Sequence, residues 1–141
     1  MARLPLEVVG SFISAINGRD LSALRSLMTE DHVFIDARGT RFSGAQTMID
    51  NWRNFFYAYP QYWISIDSNF AGGSRVALFG TAGGKWRVDG NVIPGSWEVT
   101  AAWVAEVENG KVRRWSVFCD TGWASPPQPK MESSTMALVG A

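Results

Sequence analysis

The sequence predicts an α+β fold: a cone-shaped, curved antiparallel sheet, mixed in part, with three N-terminal helices packed on its concave face. Three observations lead there. Apolar residues recur at helical spacing in three segments before residue 60, and alternate at strand spacing through most of the remainder. Asn109-Gly110, the pair favoured in two-residue hairpin loops, separates two long apolar strands. Gly80, Gly83 and Gly84 interrupt a further strand, and glycine within a strand marks a bulge, a bend or a close backbone approach. Helices first and strands after is the order of an α+β domain.

Residues 5–17 predict the first helix: Pro5 suits its first position, Leu6, Val9, Ile13 and Ile16 recur on one side with Phe12 beside them, and Asn17-Gly18 ends it. Asp20 is placed to cap a second, short helix that buries Leu21, Leu24, Leu27 and Met28. Residues 32–39 read as a short strand with Phe34 and Asp36 on one face, joined by Arg38 if the strand reaches so far, and Val33 and Ile35 on the other. Ser43 and Gln46 have capping-box spacing, so a third helix is expected from there to Tyr59, ended by Pro60. Met48, Trp52, Phe55, Phe56 and Tyr59 form its apolar side. Tyr62, Ile64, Ile66, Ser68 and Phe70 alternate as a strand, and residues 75–86 form the next. Residues 87–95 read as a loop punctuated by Gly and Pro, a candidate lid.

Counting outward from Asn109-Gly110 sets Val107 opposite Val112 and Glu106 opposite Arg113. One face then carries Trp97, Val99, Ala101, Trp103, Ala105 and Val107 with Val112, Arg114, Ser116, Phe118 and Asp120. The other carries Trp115, Val117 and Cys119. Both faces are largely apolar, so each needs a cover. The helices supply one, and a second copy of the chain, a homodimer through the outer face of the sheet, is the simplest supply of the other.

The 141 residues suit one domain, read as residues 1–124, followed by an extended Pro-containing tail, 125–141, mobile or docked on a partner. A formal net charge of zero argues against nucleic acid or an anionic membrane as partner, because both are held by excess Lys and Arg. The single cysteine, Cys119, forms no internal disulfide, and neither a signal peptide nor a membrane span is visible, which together fit a cytoplasmic protein. With one His and one Cys, no metal-ligand cluster is expected. Residues 80–85 are not a phosphate loop, since Trp86 stands where Ser or Thr is needed.

The chemistry-bearing candidates are Asp36 and Asp120, two carboxylates on apolar faces. A carboxylate held in a greasy cavity titrates higher than usual and suits a base near neutral pH, and two in one pocket divide into an acid and a base. The competing reading of Asp36 is a backbone bond at a strand end or a pair with Arg38. For Asp120 it is a cap on the backbone at Thr121 or Gly122. His32, at a helix-to-strand junction, reads as a surface or capping residue. Cys119, opposite in face to Asp120, reads as a small buried hydrophobe near a subunit contact.

The segments FISAINGRDLSALRSLMTEDHVFIDARG and VAEVENGKVRRWSVFCD carry a resemblance, over residues 5–123, to the nuclear transport factor 2-like superfamily in its SnoaL-like and ketosteroid isomerase-like branch. The resemblance implies a pocket inside the cone, lined by residues such as Phe12, Phe34, Trp52, Phe56, Tyr62, Trp86, Trp103 and Phe118. Asp36 occupies the place of the isomerase base. Asp120 in WSVFCD occupies the place of the last Asp of the limonene epoxide hydrolase pattern. The isomerase's oxyanion donors, a Tyr and a protonated Asp, are replaced by Phe12 and about Trp103. The Arg and second Asp of the epoxide hydrolases have no match in FGTAGG.

The functional expectation is a cofactor-independent proton-transfer enzyme, of isomerase, cyclase or dehydratase type. It would act on a small apolar carbonyl compound, with Asp36 taking a proton and Asp120 returning one. The alternatives are a non-catalytic ligand-binding or dimeric scaffold protein and, less favoured by the residues, an epoxide hydrolase.

Overall fold

A computed structural model describes residues 3–127. The chain runs α1 (Pro5–Asn17), α2 (Leu21–Ser26), β1 (Met28–Ile35), β2 (Arg41–Ser43), α3 (Ala45–Ala58), β3 (Trp63–Gly72), β4 (Arg75–Gly84), β5 (Arg87–Val88), β6 (Asn91–Val92), β7 (Trp97–Glu108), β8 (Lys111–Cys119) and a 3₁₀ turn (Gly122–Ala124). Most of the expected tail, residues 128–141, lies outside the described residues.

Three helices pack on a mixed, curved sheet that does not close into a barrel. Its six strands are ordered β2-β1-β8-β7-β4-β3. Neighbours are antiparallel except β1 and β8, which run parallel. The hairpin expected at 109–110 is present, with positive φ at Asn109 (51°) and Gly110 (74°). Asp20 caps α2, its Oδ1 accepting from the Ala23 N–H at 3.0 Å. α1 is anchored at its far end by Asn17, whose amide exchanges two hydrogen bonds with the backbone of Ile64 on β3. The buried stripe of α1 is Val8, Val9, Phe12, Ala15 and Ile16, while Leu6 stays exposed. These side chains meet Leu24, Met28, Leu78, Trp103 and Trp115 in one core. Each such residue fully buried contributes on the order of 2 kcal/mol.

Several local expectations need correction. Ser43 does not cap α3; it is the last residue of β2, paired with Val33, and the cap position is Gly44 at φ +99°. Residues 87–95 are not a free loop. They form the β5–β6 hairpin, pinned to the end of α3 by Arg87, whose guanidinium lies 4.2 Å over the Tyr57 ring and whose Nε donates to the Tyr57 carbonyl. His32 is not a surface residue but fully buried, with Nδ1 2.7 Å from the Val112 carbonyl oxygen.

The largest correction concerns two β-bulges. Strand pairing places Glu106 opposite Arg114 rather than Arg113, so Arg113 is an extra residue in β8. Beyond it every side chain changes face, because side chains alternate along a strand. Trp115, Val117 and Cys119 therefore turn inward, opposite Ala105, Trp103 and Ala101. Phe118 turns outward and is 56% exposed. Asp67 is the corresponding extra residue in β3, and it sends Phe70 to the outer face beside Phe79, with ring centroids 6.0 Å apart.

Among the described residues, no helix is long and apolar enough to cross a membrane.

Candidate functional site

The cone encloses a hollow of about 470 Å³, a size that suits a small organic molecule. Its walls are the inner face of the β7–β8 hairpin, one side of α3, the β1–β2 loop and the 3₁₀ turn. From the hairpin come Trp97, Val99, Ala101, Trp103, Trp115, Val117 and Cys119. Helix α3 gives Met48, Trp52 and Phe55 from its apolar stripe, with Asn51 and Asn54 nearer the polar edge. Phe34, Asp36, Ala37, Arg38 and Phe42 come from β1, β2 and their connection.

The 3₁₀ turn closes one end. Trp123 stacks on Trp97 at 4.0 Å with ring planes 17° apart. Its carbonyl accepts from Trp86 Nε1 at 2.7 Å, and the Ala124 carbonyl accepts from the Tyr59 hydroxyl at 2.9 Å. The neutral side chains here are kept neutral by burial. Desolvation pushes the Tyr62 phenol far above its usual range. It also raises Tyr59, against a smaller opposing pull from the Arg38 charge. The Cys119 thiol is raised by burial as well, with Trp123 acting against this and Asp120 adding to it. A thiol so disposed stays protonated at neutral pH and is a poor nucleophile.

The two candidate acids part company. Asp36 lines the hollow, half-buried at its rim. It also organises its own loop: Oδ1 accepts from the backbone N–H groups of Arg38 and Thr40, both at 2.9 Å. The turn is completed by the Asp36 N–H donating to the Thr40 carbonyl and by Gly39 at φ +85°. Both side-chain bonds fall on one oxygen, leaving Oδ2 without a protein donor among the described residues. Asp120 does not line the hollow. The bulge at Arg113 reverses its face, and its Oδ1 accepts from the Gly122 N–H at 3.0 Å. The two carboxylates do not share a cavity.

Of the aromatic residues expected in the lining, Phe34, Trp52, Tyr62 and Trp103 are there. Phe12, Phe56, Trp86 and Phe118 are not. Phe12 is sealed in the core, its ring 4.9 Å from that of Trp115. Phe56 packs on the Trp52 ring, 5.3 Å away between centroids. Trp86 braces the 3₁₀ turn from behind. Unbroken alternation from the turn puts Trp115, Val117 and Cys119 on the outer face; the bulge at Arg113 turns them into the hollow. Trp123, outside the strand pattern, also lines the hollow. Its only signal was a large aromatic just beyond the last strand. Among the described residues no cluster of three or more His, Cys, Asp or Glu is placed to hold a metal ion.

This architecture, an open curved sheet wrapped on helices around an apolar hollow, defines an α+β cone protein of nuclear transport factor 2-like type. A sequence model of the SnoaL-like domain matches residues 9–115, and the chain belongs to that family. Among solved structures it is similar to IdmH, a candidate polyketide cyclase from Streptomyces antibioticus, at 19% identity, covering 84% of this chain and 93% of that one with a TM-score of 0.72. It is similar to a ketosteroid isomerase-like protein from Catenulispora acidiphila solved with trimethylamine, at 17% identity, 84% and 88% coverage and a TM-score of 0.74. An LEH-like epoxide hydrolase from M. tuberculosis is similar at 19% identity, 82% of each chain and a TM-score of 0.69. At these identities the likeness speaks for the fold alone. No curated protein matches the chain.

Proposed function

We propose that this protein takes up one small, largely apolar carbonyl compound in the cone and that binding is its primary role. The observation that carries this reading is a hollow walled by aromatic rings in which, among the described residues, one carboxylate stands without a second. Apolar burial supplies the affinity, and the few polar groups at the rim supply orientation. The direct experiment is calorimetric titration with 2-acetonaphthone. Saturable binding of one molecule per chain is expected, and Val99→Trp, which fills the hollow from its half-buried wall, is expected to abolish it. Binding unchanged by that substitution would end the reading.

A second reading is proton transfer with Asp36 as the sole base. It is favoured by an Asp36 carboxylate that lines the hollow with Oδ2 free of protein donors. Asp36 would take a proton from the carbon next to the ligand carbonyl, leaving an enolate, and return it there or to a conjugated carbon. It stands second because the resemblance puts Phe12 and about Trp103 in the places of the isomerase's oxyanion donors. NMR of deuterium exchange into the ketone's α-position tests it. Exchange lost in Asp36→Asn supports it, and no exchange by the wild type retires it without touching the binding reading.

The outer face of the sheet is read as the contact with a second copy of the chain. Phe70, Phe79 and Phe118, 67%, 44% and 56% exposed, support this.

A further inference from the structure

Among the described residues, two in the wall of the hollow carry a full charge, Asp36 and Arg38, and they are unequally occupied. The Asp36 carboxylate is engaged by two N–H groups of its own loop. Arg25, Arg53, Arg75, Arg113 and Arg114 each meet a carboxylate, and Arg3, Arg19 and Arg87 meet backbone carbonyls. Among the described residues Arg38 and Arg41 meet neither, and of the two it is Arg38 that lines the cavity.

The wall also carries neutral polar groups able to donate. Asn51 and Asn54, three apart on α3, bring side-chain amides; among the described residues Asn51 Nδ2 reaches the Met48 sulfur alone, at 3.6 Å. Thr121 adds a hydroxyl. The wall thus holds one cation and several neutral groups that can donate beside it, while its one carboxylate is partly satisfied from within. The charge of Arg38 is also felt across the mouth, where it draws the Tyr59 phenol down against the effect of burial.

We propose that Arg38 recognises a carboxylate on the ligand, so that the compound enters with its apolar body in the aromatic hollow and its anionic end at the rim. This rests on the reading of the hollow as a ligand site and narrows it to amphiphilic acids. The guanidinium is suited to the task, because its planar fork can bond both oxygens of a carboxylate at once. The Asp36 turn is then a positioning device: it fixes the backbone from which Arg38 projects, with the Asp36 Oδ1 charge already facing two N–H dipoles.

The test uses the full-length protein and three probes with one ring system: 2-naphthoate, its neutral methyl ester, and the 2-naphthyltrimethylammonium ion. Calorimetry on the wild type is expected to show 2-naphthoate binding roughly tenfold or more tighter than the ester, with the preference shrinking as salt is raised. Arg38→Gln is expected to erase the preference and leave ester affinity within about twofold; Arg38→Lys is expected to keep part of it. An ester bound as tightly as the acid, a cation bound more tightly than either, or a preference that survives Arg38→Gln would each overturn the proposal and leave the hollow as a ligand site. Failure of all three probes to bind would overturn the underlying reading as well.

Discussion

Glu106 stands across the sheet from Arg114, although one step nearer the turn Val107 stands across from Val112. Arg113 is the residue left over, and its insertion decides which half of β8 the ligand would see. Glu106 is the natural pivot, since its carboxylate lies within 3.3 Å of Arg113 and 3.7 Å of Arg114 and bonds Arg75 on the neighbouring strand. A bulged strand twists more strongly, which also helps wrap the sheet around its contents.

The face assignment is testable through the chain's single thiol. Cys119 lines the hollow and its thiol is shifted upward by burial. Alkylation by iodoacetamide at pH 8 is expected to run roughly tenfold slower than for free cysteine, and saturating 2-acetonaphthone is expected to slow it further. In urea the rate should match the free thiol. Fast modification indifferent to the ketone would put Cys119 on the outer face and undo the bulge.

Much of the fold was legible because it is written in local chemistry. Pro5 starts α1, Asp20 caps α2, and Asn109-Gly110 turns the hairpin, each through a bond or dihedral set by nearby residues. The bulges were not legible. Nothing in VRRWSVFC says which arginine is the extra residue, since either fits a solvent-facing position near the turn, and a one-residue error inverts everything after it. The error placed Asp120 and Phe118 inside and Trp115 outside, so the candidate site suffered more than the fold did. Asp36 stands in the wall of the cavity. Its bonds to the Arg38 and Thr40 N–H groups are the strand-end arrangement offered as the competing reading, and Arg38 lies in the turn beyond β1.

His32 gives the fold a pH response. It is fully buried beside Phe12, with Nδ1 against the Val112 carbonyl and Nε2 without a partner among the described residues. Burial lowers its pKa below the ordinary 6.5, outweighing the opposite pulls of Val112 and Asp31. The unfolded chain therefore takes up the proton first. The contribution of His32 is complete above about pH 6.5 and declines as pH falls, by at most about 1.4 kcal/mol per unit, until the folded-state pKa is reached. Urea midpoints are expected to drop between pH 7 and 5.5 in the wild type and to stay nearly level in His32→Phe. An equal decline in both would remove His32 as the cause.

The outer face makes a prediction about assembly. Phe118 and Phe79 both pair with Ala102, forming an exposed apolar row across β8, β7 and β4. Sedimentation at micromolar concentration is expected to find a dimer for the wild type and a monomer for Phe118→Glu, with binding of 2-acetonaphthone retained. A monomeric wild type would dismiss the contact.

Gly80 is where the curvature of the sheet is most exposed to a single methyl group. It lies opposite Ile66, next to the bulge at Asp67, where β3 swings in toward β4. A Cβ built there would stand 1.9 Å from the Ser65 carbonyl oxygen, a backbone atom that cannot rotate away. Gly80→Ala must therefore part the two strands or straighten the bulge. The expected loss is at least about 2 kcal/mol, read as a fall in urea midpoint. Gly10, on α1, has no atom within 4 Å of its Cβ position, so Gly10→Ala is the matched control. It is expected to be neutral or to stabilise the helix slightly, by up to about 1 kcal/mol. Equal stability of the two variants would mean that β3 and β4 do not approach at Gly80, and the bend assigned to that strand pair would have to come from elsewhere.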